Sequence, residues 1–229
     1  NTPTTLYQPA DFDFVWRIVT DHTNLVDDVV LAAVYNGIYR SADGGDSWQA
    51  VLGLDTAVAQ QSAFTDIIIT PNGILYAVLS HPGPDKGIWR SSDGGLSWTE
   101  ITPDGWPTSF RRTNMAFAPS DENQLYFISQ TPGSGLHGHN LWKYTYISGN
   151  GDSTGGMWEN RSQNLPTMPC EVFYDFEFGN YNSQSSYDMC IAVKPDDADV
   201  VFLGGTNVYR SEDGFTTSTS EWIGGYRCD

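Results

Sequence analysis

Two aspartates, Asp66 and Asp188, stand at the head of apolar stretches that read as strands, DIIIT and DMCIAV. A carboxylate pair facing across a cleft can protonate a glycosidic oxygen and activate a water, provided the pair keeps a fixed separation. Arg17 and Asn114 lie near the start of comparable stretches, with Arg112 just ahead of Asn114, so these five side chains are candidates to gather where first strands converge. The same residues also suit a plainer role, as strand ends that pair Arg with Asp in solvent at little energetic gain. The sequence favours that role, because ion pairs are more often structural than chemical.

Other residue groups carry weaker chemistry. His137 and His139 lie two apart in a Gly-rich stretch, TPGSGLHGHN, but no Cys, Asp or Glu falls within five residues of them to complete a metal site. Asp196, Asp197 and Asp199 in KPDDADV could offer oxygens to Ca²⁺, the one ion the sequence raises. A polar turn between strands has the same composition. Trp106, Phe110, Tyr174, Phe176, Phe178 and Tyr181 fall outside the repeated elements described below and could stack on sugar rings or meet a protein. FYDFEF, 173–178, reads equally well as an alternating strand, the reading preferred here. Asn160-Arg161-Ser162 fits a glycosylation acceptor, and Asp55-Thr56-Ala57 a short O-glycosylation signal at Thr56.

Composition narrows the classes. The 229 residues carry 28 Asp and Glu against 11 Lys and Arg, a formal charge of −17 that repels nucleic acid and anionic membrane surfaces. No apolar run is long enough to insert in a membrane. The first residue is Asn1 rather than Met, so a processed or truncated N-terminus is expected. Of three cysteines, Cys170 and Cys190 are expected to bridge the Gly-, Asn- and Ser-rich segment between them, with a free thiol as the alternative for each and Cys228 left over.

What must position these residues is a repeat. SADGGDSW at 41–48 returns as SSDGGLSW at 91–98 and, in part, as SEDGFTTS at 211–218; DSTGGMW at 152–158 is a stretched version. Around each box runs the same order: a short apolar strand, a Pro, Asp or Asn turn, a second strand, a third ending in aromatic-Arg-Ser or a variant of it, the box, and a fourth strand. Recurrence at ~50–60 residues points to propeller blades, here approximately 12–52, 64–102, 113–162 and 187–223. In the box, Asp43, Asp93 and Asp213 can accept backbone N–H groups of their own turn. Gly45, Gly95 and Gly214 allow positive φ, Trp48 and Trp98 pack over the hairpin base, and Ser41, Ser91 and Ser211 open the turn. Each box is therefore expected to lock strands three and four, a structural role.

The spelling resembles the Asp-box, or BNR, repeat of sialidases, xyloglucanases, sortilin-type receptors and photosystem assembly propellers. Its Asp-Gly-Gly form is similar to the sortilin and xyloglucanase branch and to secreted BNR-repeat "glycosyl hydrolase" proteins of Bacteroidetes. The resemblance implies an all-β propeller whose box aspartates sit on the outer rim, and, since such rings usually have six or more blades, a segment of a larger propeller. A sialidase would need an arginine triad, which is not evident when Arg40, Arg90 and Arg210 fill the repeat's own slot. A xyloglucanase would need an Asp in the first blade where Tyr35-Asn36 stands.

The expectation is therefore an all-β segment of about four four-stranded antiparallel blades, secreted or at the cell surface. Its expected work is to bind a glycan or an extracellular protein without catalysis and without a cofactor. The alternatives are a glycoside hydrolase using a central carboxylate pair and a scaffold completed by the rest of a larger propeller or assembly.

Overall fold

The computed structural model describes residues 14–53, 62–168 and 179–225. They form four antiparallel sheets of four strands each, in simple sequential order. The first sheet contains β1 (Val15–Thr20), β2 (Val30–Val34), β3 (Gly37–Ser41) and β4 (Gln49–Gly53); the second contains β5 (Thr65–Ile69), β6 (Leu75–Leu79), β7 (Gly87–Ser91) and β8 (Thr99–Glu100). The third comprises β9 (Thr113–Ala118), β10 (Asp121–Gln130), β11 (His139–Tyr146) and β12 (Gly156–Asn160). The fourth comprises β13 (Cys190–Lys194), β14 (Asp197–Gly204), β15 (Asn207–Ser211) and β16 (Glu221–Gly225).

β-Branched and aromatic residues recur along these strands, and tight turns set their register. Val34 pairs with Gly37 around a two-residue turn, and Asn36 takes φ 74° there. Asn is one of the few residues that tolerate this left-handed position.

By internal contacts the chain divides into two units, Asn1–Thr113 with Tyr146–Gly156, and Asn114–Thr145 with Met157–Asp229. In the first, Leu31, Ala33, Ile38, Ile67, Leu75 and Leu79 are the heart of a buried cluster between the first two sheets. In the second, Tyr126, Ile128, Leu141, Val201, Leu203 and Tyr209 do the same between the third and fourth.

The boxes are hairpin locks. Ser41 Oγ donates to Asp43 Oδ1 at 2.6 Å and accepts the Gly45 N–H at 2.9 Å, while Asp43 accepts the Ser47 N–H at 2.9 Å. The second box repeats the pattern: Ser91 Oγ to Asp93 Oδ1 at 2.7 Å, and the Leu96 and Ser97 N–H groups to Asp93 at 3.1 and 3.0 Å. In the third, Ser211 donates to Asp213 at 2.7 Å and Thr217 takes the second Ser position. Phe215 stands there in place of the second glycine, at φ 57° and fully buried, filling core space. Trp48 folds back to donate from Nε1 to the Gly45 carbonyl at 3.0 Å. DSTGGMW makes a different turn, a short 3₁₀ segment Ser153–Gly155 that Asp152 precedes without a side-chain capping bond.

Arginines of the aromatic-Arg-Ser slot also have work to do. Arg40 Nε donates to the Gly94 carbonyl of the second box at 2.8 Å, tying the first sheet to the second. The Arg90 guanidinium lies 4.3 Å from the Tyr146 ring centroid.

Candidate functional site

The start of β1, the β2–β3 turn and the approach to β5 meet at one end of the first two sheets. An aromatic surface forms there. Phe14 and Trp16 stack with ring planes 17° apart and centroids 6.4 Å apart. Tyr35 lies 6.3 Å from Phe14, and Phe64 lies 5.1 Å from Trp16. Phe14 is 58% exposed and Trp16 37%, although large aromatics usually go inside. The β1–β2 register explains part of this: Val15 opposes Val34 but Arg17 opposes Ala33, so Trp16 is the extra residue of a bulge, a device that re-aims side chains. Its indole N–H donates to the Ala63 carbonyl at 3.1 Å, which fixes the ring plane.

Charge borders this surface. The Arg112 guanidinium lies 5.7 Å from the Trp16 ring centroid, within cation–π range. Arg17 Nε contacts Asp66 Oδ1 at 2.8 Å, with the Asp66 side chain only 4% exposed and that of Arg17 36% exposed. Asp66 Oδ1 also accepts the Ile67 N–H at 3.0 Å. Both donors meet the same oxygen, Oδ1, of a carboxylate that is almost fully buried, which places Asp66 as an ion-pair partner rather than a solvent-facing acid or base. Arg17 and Asp66 do pair, but with the Asp66 side chain buried rather than in solvent as the sequence suggested.

Trp106 and Phe110, expected as contacts, are 7% and 2% exposed and meet edge to face at 5.7 Å, because their loop folds back and consumes both rings in packing. Tyr181 is likewise buried, donating from its hydroxyl to the Gly204 carbonyl at 3.1 Å. In the second unit, Asn114 is buried in β9 and Asp188 half-buried just before β13. Tyr174, Phe176, Phe178, Thr56, Cys170 and Cys228 lie outside the described residues; Cys190 is exposed and free. Asn160 is exposed at the end of β12, and its Oδ1 accepts the Ser162 N–H at 2.9 Å.

His137 and His139 do not converge on a metal position. His139 Nδ1 donates to the His137 carbonyl at 2.8 Å, leaving Nε2 to accept the Ser183 hydroxyl at 2.6 Å. Burial of the imidazole pushes its pKa down to about 4, so it is neutral at pH 7. Ser183 is fully buried, so this pair cannot reach a substrate and serves as an internal tie. The aspartates of KPDDADV are engaged too: Asp196 with Lys194 at 2.7 Å, Asp199 with Lys143 at 3.2 Å, and Asp197 Oδ1 with the Asp199 N–H at 3.1 Å. Among the described residues, no group of three His, Cys, Asp or Glu could hold a metal ion.

Sequence reasoning alone does not single out Phe14, Trp16, Tyr35 and Phe64. The usable signal is F-x-W at the start of a strand, but the matching rings come from segments 20 and 50 residues downstream, roughly, and only blade geometry joins them.

No protein-family model and no curated protein matches the sequence. Solved structures do resemble it. A GH74 enzyme of Niastella koreensis is similar over 91% of this chain and 30% of its own, with a TM-score of 0.62 and 15% identity. The fold is that of a β-propeller segment. The GH74 xyloglucanase of Xanthomonas campestris matches over 86% of this chain and 29% of its own, at TM-score 0.52 and 22% identity. An ancestral GH74 enzyme matches over 91% and 26%, at 0.53 and 17%. The chain thus spans about a third or less of the length of these propeller enzymes.

Proposed function

We propose that this chain is a non-catalytic glycan-binding segment of an Asp-box propeller, working outside the cell or at its surface, and that Phe14 and Trp16 form its sugar platform. The observation that carries the reading is the near-parallel, solvent-exposed Phe14–Trp16 stack. Sugar rings present flat C–H faces to such aromatics while their hydroxyls meet polar groups, here the Arg112 and Arg17 guanidiniums at the border. Likeness to GH74 propellers is compatible with glycan recognition, but at this identity it supports the fold alone. The engaged Asp66 and the buried Ser183 favour binding over hydrolysis.

A panel of soluble plant and bacterial polysaccharides, titrated calorimetrically and scored for released reducing ends, tests this. Binding without release, weakened by Trp16→Ala, supports it. Release that Asp66→Asn abolishes would transfer the chain to the hydrolases.

A second reading, a scaffold within a longer propeller, rests on the exposed apolar residues Val15 and Ile18 of β1, 45% and 60% exposed. On that reading β1 packs against further strands, and a longer chain would bury them.

A further inference from the structure

We propose that the fourth sheet of one copy of this chain docks head to tail on the first sheet of a second copy, with Arg210 keyed to the carbonyl of Gly44 in the second copy's box. The contact between the first two sheets of a single copy shows what one blade presents to the next. Leu31 and Ile38 of the first sheet and Ile67 and Leu75 of the second are fully buried in one cluster. Beside it Arg40 Nε donates to the Gly94 carbonyl at 2.8 Å, and a Cβ on Gly95 would strike Leu31. Arg90 makes the same reach from the second sheet, its Nη1 meeting the Asn150 carbonyl at 3.4 Å.

The fourth sheet repeats the first half of that contact and leaves it open. Phe202 opposes Arg210 as Leu31 opposes Arg40, and Val208 opposes Gly204 as Ile38 opposes Ala33. These side chains share the face away from Val201 and Leu203, which fill the core. Val208 is 38% exposed where Ile38 is fully buried, and Phe202 is half-buried. Arg210 Nε is buried without a hydrogen-bond partner, while its Nη2 meets Glu212 and Glu221 of its own sheet at 2.8 and 3.0 Å. A buried donor of this kind normally finds an acceptor.

The first sheet offers the complementary half. Ile18 opposes Ala32 and Ile67 opposes Ala77; Ala32 and Ala77 in turn oppose Tyr39 and Trp89, the residues before Arg40 and Arg90. Ile18 therefore occupies the place that Ile67 holds in the second sheet, yet it is 60% exposed. Gly44, the counterpart of Gly94, is exposed as well, and a Cβ on Gly45 would meet Trp48 of its own box rather than a preceding sheet. Ala32, Val34 and Tyr39 of that face are already buried within one copy, so the contact runs along β1 and the box. Asp43 and Asp46, exposed on either side of the box glycines, suit an incoming guanidinium. Because the two faces are different surfaces, the interface is heterologous. It covers β1 with a copy of the same chain, where the second reading above covers it with more of one chain.

Sedimentation velocity of the full chain over a concentration series tests this, at moderate salt because copies of charge −17 repel one another. The proposal expects reversible association, weakened about tenfold or more by Val208→Asp, by Ile18→Asp and by Arg210→Ala. Val208 and Ile18 are exposed in one copy, so each variant should keep its fold by circular dichroism. Mixing Val208→Asp with Ile18→Asp gives the sharpest readout. Each variant lacks one face and keeps the other, so the mixture should form a heterodimer that neither forms alone. A mixture that stays monomeric would overturn the proposal, as would association indifferent to all three substitutions. A chain monomeric at every concentration would overturn it too, and would leave the second reading standing.

Discussion

Arg17 Nε lies 2.8 Å from Asp66 Oδ1, and the pair turns a candidate catalytic carboxylate into a strut between β1 and β5. The Asp66 side chain is almost completely desolvated, while Arg17 keeps about a third of its surface in water. Losing one partner of such a pair leaves the other uncompensated.

Asp66→Asn is therefore a stability variant. It should cost about 2 kcal/mol, below the value for a fully buried pair because Arg17 can rehydrate. Urea denaturation measures this. An unchanged midpoint would show that the pair contributes nothing.

Acid should unfold the chain in two stages. His139 is buried neutral with its pKa pushed from 6.5 down to about 4, so between those values the unfolded chain takes up a proton that the folded chain refuses. Stability should fall as pH drops through that window, and His139→Gln should flatten it. Below it, the box carboxylates take over. Burial raises the pKa of Asp93 and Asp213, but hydrogen bonds from Ser97 and Ser91, and from Thr217 and Ser211, outweigh it and hold both below 3.8. Their contribution is complete above 3.8 and disappears as pH falls below it. Melting curves at a series of pH values separate the stages.

Gly95→Ala should destabilise more than a surface change. Gly95 has φ +84°, and a Cβ there would lie 2.6 Å from Leu31 Cδ2. Strain and overpacking together predict about 2 kcal/mol. Gly133→Ala, also at positive φ (+83°) but in open space, should show only the backbone part of that cost.

Asp93→Ala should cost about 1 kcal/mol, discounted for exposure, since Asp93 gathers the Ser91 and Ser97 hydroxyls and the Leu96 and Ser97 N–H groups. Loss of protection from amide exchange at Leu96 and Ser97 checks the mechanism locally.

Much of the fold was legible because the box is local chemistry. Ser, Asp and Gly at fixed offsets can satisfy one turn without help from the rest of the chain, so the hairpins at Asp43, Asp93 and Asp213 follow from spelling. Phe215 shows the limit: it occupies a left-handed glycine position because the core cluster rewards its ring. The site was less legible. Trp106 and Phe110 look like free aromatics in a loop until the loop folds back, whereas Phe14 and Trp16 look like ordinary strand residues until a bulge and a sheet end expose them. Both depend on contacts between distant segments, which composition and periodicity do not report.

The central claim is that Trp16 holds a sugar ring. Titration of a glycan found to bind the unmodified chain into Trp16→Ala and Phe14→Ala measures it most directly. The account predicts that each variant keeps its fold by circular dichroism and binds about tenfold more weakly or worse. Affinity unchanged in both folded variants would contradict it.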